Sequence, residues 1–383
     1  MVTLALLIGG LPGETKAVKA RWTKTFNGAW NTDDSAWGVA VCPDGNIVVV
    51  GTIYKDNTEI RNIWLSKYTP SGKKVWTTRY NGPDSGSDYG RGVAVAPNGS
   101  IYVAGASSRA GSGTDIILQK YSTGGKLKWT RWRTSAGSFW DDAYGGVAVA
   151  PNGEVYVAGV MDNGSEGGNA WLGKFSPKGK ERWTRMYDGA GEQDIAYGLA
   201  VSNDGKVYIA GFSSQPVTFN RNLFLRKYSP KGVDKWTEIY NGSAMDEGMA
   251  VAVAPNGQIY VAGSTGGTGF DRAVLLRKYS STGKFKWMKT HDPGTSTDQA
   301  WGVAVDPDGG VYVNGLTSVS AFQGNIWTRK YTPRGGKVWT RKYDGGSGDK
   351  GYGITTASDG SVYAVGYTSV SGEGYNGWIR KYR

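Results

Sequence analysis

Gly92-Val-Ala-Val-Ala-Pro-Asn-Gly-Ser-Ile-Tyr-Val-Ala-Gly105 holds two short strands around one turn. Small and β-branched residues alternate in its first half. Asn98-Gly99 suits the positive φ angles of a two-residue hairpin, and Ile101-Tyr-Val-Ala-Gly105 returns as a second strand. After a variable stretch, Ile116-Ile-Leu-Gln-Lys-Tyr121 reads as a third strand. Ser122-Thr-Gly-Gly125 turns it into a fourth, Leu127-Lys-Trp-Thr-Arg131. The unit is a four-stranded antiparallel sheet.

The unit recurs along the whole chain. Trp22, Trp76, Trp129, Trp183, Trp236, Trp287 and Trp339 advance by 51 to 54 residues, as do the hairpin glycines Gly45, Gly99, Gly153, Gly205, Gly257, Gly309 and Gly360. Such regularity marks an array of one supersecondary unit. Seven copies of four strands predict an all-β, seven-bladed β-propeller. The last copy ends on its third strand, Trp378-Ile-Arg-Lys-Tyr382, and the first begins with a fourth, Arg21-Trp-Thr-Lys-Thr-Phe26. Pairing of the N-terminal strand with the C-terminal blade would close the ring and remove an exposed sheet edge. The expected domains are a single propeller over 18–383 and an apolar arm over 1–17. That arm reads either as a signal remnant or as a docking arm. It is too short to span a bilayer, and no transmembrane segment is expected.

Composition agrees with a ring of short strands: 60 Gly, 23 Tyr and 16 Trp in 383 residues. One cysteine and one histidine exclude an intrachain disulfide, a His/Cys-rich metal site and a Cys–His or Ser–His pair. Cys42 stands where sister repeats carry Ala96, Ala150, Ala254 and Asp306, a small core position. His291 replaces the aromatic residue that ends the fourth strand elsewhere, as at Tyr80. No catalytic residue, metal or cofactor is expected.

The pattern Asp-x-Ala-x-Gly-Val-Ala-Val-x-Pro-x-Gly-x-Val-Tyr-Val-Ala-Gly, then Lys-Tyr-x-Pro-x-Gly-Lys-x-x-Trp, resembles the SBBP (seven-bladed β-propeller) repeat family. Copies run from Asp34 to Tyr382. The resemblance implies a propeller and an exported or cell-surface setting, with no shared activity or site residues. Gly-Lys-x-x-Trp also resembles the tryptophan-docking motif of quinoprotein propellers, whose eight blades and cofactor signatures have no counterpart in this sequence.

The two rims of the ring differ. Turns between strands one and two and between three and four are short and repetitive. The strand two–three loops and the inter-blade connections vary, and loops on a rigid scaffold usually carry binding. The formal net charge is +12. Asp33, Asp34, Asp84, Asp88, Asp141, Asp142, Glu192, Asp194, Asp246 and Glu247 fall in the inter-blade segments, whereas lysines such as Lys67, Lys120, Lys174, Lys227 and Lys278 gather on the third strand and its hairpin. An acidic long-loop face and a basic short-turn face and rim are expected. The basic face would suit an anionic polymer or surface; nucleic acid is not expected, since no dedicated motif accompanies the charge.

Candidate binding residues lie on the long-loop face. Asp34, Asp88, Asp142, Asp194, Asp246, Asp298 and Asp349 each precede the first-strand glycine, or its equivalent, by four residues. They read as backbone acceptors at a loop-to-strand junction, or as a carboxylate ring around a cation. Three positions later the copies diverge: Trp37, Arg91, Gly145, Tyr197, Met249, Trp301 and Tyr352. These would line either a pocket at the channel entrance or varied packing. Trp30 with Asp33 and Asp34, and Trp140 with Asp141 and Asp142, place an aromatic face beside carboxylates, as a carbohydrate subsite would. Hydrolysis of a glycoside would further require a defined carboxylate separation.

The leading expectation is a non-catalytic interaction or scaffold propeller, extracellular, cell-surface or periplasmic, that binds a protein partner or larger assembly through its long-loop face. The alternative is a carbohydrate-binding propeller using the Trp–Asp loops. A glycosidase or quinoprotein-type enzyme has least support.

Overall fold

The computed structural model describes residues 19–28, 32–54, 60–84, 86–109, 113–135, 140–165, 167–189, 192–216, 218, 220–267, 271–293, 297–320, 323–346 and 348–383. The N-terminal arm and Trp30 lie outside them. The described residues form 28 strands and no helix, arranged as seven four-stranded antiparallel sheets. The chain is a seven-bladed β-propeller.

Blade 1 shows how the sequence builds each sheet. Its strands are Ser35–Val41, Ile47–Tyr54, Arg61–Tyr68 and Lys74–Tyr80. The second strand is buried throughout, because both of its faces meet a neighbouring blade. Ile47 and Val49 pack with Tyr363, Val365 and Ile379 of blade 7, while Val48 and Val50 pack with Val93, Val103 and Ile117 of blade 2. Alternation along a strand thus serves two separate cores. Each fully buried valine or isoleucine contributes about 1.5–3 kcal/mol. The outermost strand alternates between exposed and half-buried residues.

Closure joins the two ends of the chain. Ala20–Phe26 pairs antiparallel with Gly374–Tyr382, Thr23 opposite Arg380 and Thr25 opposite Trp378, as the fourth strand of blade 7. Phe26 then stacks on Trp64 of blade 1, ring centroids 3.9 Å apart.

The recurrent outer tryptophan docks under the next blade. Trp76 lies beneath the strand three–four hairpin of blade 2, where a Cβ on Gly125 would fall 2.9 Å from its ring, and its indole N–H donates to the Thr123 carbonyl. Trp22, Trp129, Trp183, Trp236 and Trp287 stand likewise under Gly72, Gly179, Gly232, Gly283 and Gly335. Trp339 of blade 6 is the exception. Blade 7 has no such hairpin, since its third and fourth strands come from opposite chain ends, and Trp339 instead meets Tyr382 at 5.7 Å.

Lys120, Lys174, Lys227 and Lys278, expected on a basic rim, belong to this same joint, as does Lys381. Lys120, Lys174, Lys227, Lys278 and Lys381 lie over the second-strand tyrosine of their own blade and donate to the next hairpin through Pro177, Pro230, Ser281, Pro333 and Pro70 carbonyls. They clamp blade to blade and are withdrawn from any outward basic surface.

Candidate functional site

A bulge in every innermost strand aims one side chain at the propeller axis. Blade 1 shows it between Ala36 and Gly38, where Trp37 is the extra residue. Arg91, Tyr197, Met249 and Trp301 occupy the same place in blades 2, 4, 5 and 6. Tyr352 lies in the irregular step between Gly351 and Ile354 of blade 7. The divergent residues at this position in the repeat therefore converge in space.

Blade 3 departs from the count made along the sequence. Its register jumps from Asp142 to Gly146 against only Val160 to Ala158, so the bulge is one residue longer than elsewhere. Tyr144, rather than Gly145, provides its aromatic ring at the axis. Counting four residues back from Gly146 consequently lands one place late. The equivalent of Asp34 is Asp141, and Asp142 is the residue after it. A small residue two positions beyond the aspartate (Ala36, Gly90, Ala143, Ala196, Gly248, Ala300, Gly351) gives the correct alignment and is legible in the sequence.

The aspartate ring is internal. Asp34 accepts the amides of Gly28 and Tyr54, Asp141 those of Ser135 and Asp162, Asp246 those of Gly242 and Ser243, and Asp349 those of Gly345 and Ser369. Asp88, Asp194 and Asp298 bind Gly82, Gly189 and Ser318 in the same manner. Asp34, Asp141 and Asp349 thereby tie the preceding connection to the end of the second strand. Burial pushes Asp34 and Asp194 up to about 6 and Asp298 to about 7. These carboxylates face backbone amides, and the expected acidic face loses them. Among the described residues, no group of three His, Cys, Asp or Glu side chains is placed to hold a metal ion.

One position beyond the ring aspartate, every blade differs again: Ser35, Tyr89, Asp142, Ile195, Glu247, Gln299 and Lys350. In the sequence, Asp142 alone of this second tier stands out as a candidate site residue and Glu247 counts only toward an acidic face, yet the tier carries much of the charge of the site. Asp142 grips Arg91 through Nε at 3.0 Å and Nη2 at 2.8 Å. Glu247 is held between Arg221 and Arg272, the latter at 2.9 Å. Gln299 accepts the Trp301 indole N–H at 3.2 Å. Lys350 is half-buried, with Nζ 4.0 Å from the Trp301 ring centroid and 5.2 Å from that of Tyr352. Burial lowers its amine to about 8, only partly opposed by Glu247.

The rings of the bulge tier touch in a closed circle. Trp37 stacks on Tyr352 at 3.9 Å, Tyr352 meets Trp301 edge-on at 5.6 Å, Trp301 meets Tyr197 at 6.1 Å, and Tyr197 meets Tyr144 at 5.4 Å. Arg91 completes the circle, 4.6 Å from the rings of both Tyr144 and Trp37. Along this tier and the Gly-Val steps that follow it runs an axial cavity of about 190 Å³. It is smaller than the roughly 300–1,000 Å³ of drug-sized sites. A cavity of about 580 Å³ at the short-turn end is walled by recurring turn residues such as Pro255, Asn256 and Gly257, so it carries less individual chemistry.

Of the residues singled out in the sequence, Trp37, Arg91, Tyr197, Trp301 and Tyr352 line the axial cavity. Asp142 joins them through Arg91, and Trp140 through an edge contact with Tyr144 at 5.5 Å. Asp34 and Asp141 turn away to backbone amides, while Asp33 is exposed and accepts the Tyr375 amide. Trp30 lies outside the described residues. The sequence analysis did not single out Tyr144 or Lys350, and counted Glu247 only toward an acidic face.

A family model described as domain of unknown function (DUF5122) beta-propeller matches residues 96–127, the span of one central hairpin. No curated protein matches the chain. Among solved structures, a protein of unknown function from Dyadobacter fermentans is 13% identical with a TM-score of 0.54, covering 96% of this chain and 100% of that one. A puromycin hydrolase is 14% identical with a TM-score of 0.51, covering 89% of this chain and 52% of the hydrolase. A Xanthomonas campestris gluconolactonase is 10% identical with a TM-score of 0.42, covering 92% and 88%.

These findings correct the expectation of a non-catalytic interaction scaffold. A puromycin hydrolase is among the propellers similar in shape, so the lack of a catalytic motif in the sequence gives no ground for setting catalysis aside. At such identities the likeness shows the fold alone, and none of those activities passes to this chain.

Proposed function

We propose that the axial pocket is a small-molecule site that takes a compact ring-shaped ligand. One observation carries this reading. The side chains that differ from blade to blade, on an otherwise repeated frame, meet as one circle of aromatic faces around a single cavity. Packing between blades is served by the same residue in every copy at the outer tryptophans. An apolar wall with a few convergent polar groups is the usual makeup of a ligand site, and the limited volume selects a ligand of roughly one ring. Arg91, Asp142, Gln299 and Lys350 supply donors and acceptors at its edge. The repeat-by-repeat match to the SBBP pattern supports placing the chain with that family, whose members share a scaffold and differ in their sites.

The test is titration with small neutral rings, benzamide and glucose, followed by tryptophan fluorescence and by the unfolding temperature. At least one should bind, and Trp301→Ala should abolish that binding while the variant stays folded. Silence of every ring probe, charged ones included, would refute the proposal.

A further inference from the structure

We infer that the ligand of the axial pocket is an organic acid, a ring bearing a carboxylate or comparable anionic group, and that the Lys350 ammonium receives that group. This rests on the pocket reading and names the chemistry of its occupant.

The charges around the circle do not cancel. Asp142 neutralises Arg91. Glu247 faces both Arg221 and Arg272. The Lys350 ammonium makes no hydrogen bond and no ion pair among the described residues, and it lies over the faces of Trp301 and Tyr352. Of the two cations that lie over rings of the circle, Arg91 is answered by Asp142 and Lys350 by no carboxylate among the described residues. Lysines on the third strands find carbonyls or carboxylates; this one does not.

Ring faces attract an ammonium but leave its three N–H donors unspent. An anion stacked on the same rings would fill them with charge-assisted bonds, stronger here than in water because the mouth is partly desolvated. The groups packed around Nζ offer no rival. Glu247 is engaged by its two arginines, and Asp349 turns to Gly345 and Ser369. The phenols of Tyr352 and Tyr367 are held neutral by burial. Arg91 remains charged on Asp142. The lowered amine of Lys350 fits the same picture, because an arriving anion would restore the protonation that burial opposes.

Benzoate and benzamide share one ring and differ in charge, so they separate the two readings. Each is titrated calorimetrically against the full chain and Lys350→Met at neutral pH. Benzoate should bind the native protein about tenfold or more tighter than benzamide, as expected for a charge-assisted contact. Lys350→Met should erase that preference, bringing the affinity for benzoate down to that for benzamide. An unfolding temperature at or above the native one shows that the variant is folded, since it removes a buried charge. Equal binding of both probes to the native protein, or a benzoate preference that survives Lys350→Met, would overturn the inference and leave the pocket intact. Silence of both probes on the native protein would also overturn the inference, and would remove the pocket reading with it if glucose is silent too.

Discussion

Arg91 of blade 2 and Asp142 of blade 3 are joined side-on across a blade boundary, and both lie nearly out of solvent, with side chains 11% and 2% exposed. The guanidinium is also enclosed by Trp37, Tyr89 and Tyr144. Removing one partner would strand the other charge, which typically costs about 3–5 kcal/mol, whereas replacing both with apolar residues is often neutral. Arg91→Met and Asp142→Leu should each lower stability sharply, and the double variant should be more stable than either. Urea midpoints decide it, and simple additivity would show that the pair is not a closed unit.

The inter-blade docking can be isolated by two alanines. Gly45 and Gly125 have nearly the same backbone, φ +78° and +81°, but no atom lies within 4 Å of a Cβ at Gly45, while one at Gly125 meets the Trp76 ring at 2.9 Å. Backbone strain is common to both substitutions. Gly125→Ala should therefore cost about 1–3 kcal/mol beyond Gly45→Ala, the usual range for overpacking. Matching losses in thermal unfolding would rule out tight docking.

Closure makes a similar prediction at the seam. A Cβ on Gly377 would overlap the Phe26 ring, itself stacked on Trp64. Gly377→Ala and Phe26→Ala should each destabilise the ring, and together should cost less than their sum, because contacting residues are not additive. A strictly additive double-mutant cycle would mean that the terminal strands do not pair in this register.

Asp298 sets a pH dependence whose sign is fixed by its environment. It is 1% exposed, accepts the Ser318 amide, and is pushed up to about 7 from 3.8. Between those values the folded state holds a proton that the unfolded chain has released, so this group's contribution is full below 3.8 and disappears as pH rises through 7. Asp298→Asn keeps an acceptor for Ser318 and removes the titration. Its unfolding temperature should approach that of the native protein at pH 5 and exceed it at pH 8. A gap that does not change with pH would mean the carboxyl is not perturbed.

The features most legible in the sequence were those every blade must share. Trp76 and Gly125 recur because six of the seven inter-blade joints place a flat ring under a hairpin without a Cβ, and the shared spacing made the blade count readable. The site was legible only in part. Trp37, Arg91, Tyr197, Trp301 and Tyr352 stood out as variation on a fixed frame. Tyr144 was hidden by the longer bulge of blade 3, since counting from Gly146 assumes one register for all copies. Lys350 did not stand out because it follows a ring aspartate at a position that looked like spacer, and Glu247 counted only toward an acidic face. What makes them a group is the radial convergence of seven strands, which separation along the chain does not encode.

The central claim, that the propeller axis holds a site for a ring-bearing ligand, is tested most directly by diffraction from crystals soaked in benzoate. The account predicts a ring against Trp301 and Tyr352 with its carboxylate within hydrogen-bond reach of Lys350 Nζ. Density for benzoate away from the axis, with the aromatic circle unoccupied at saturating concentration, would contradict it.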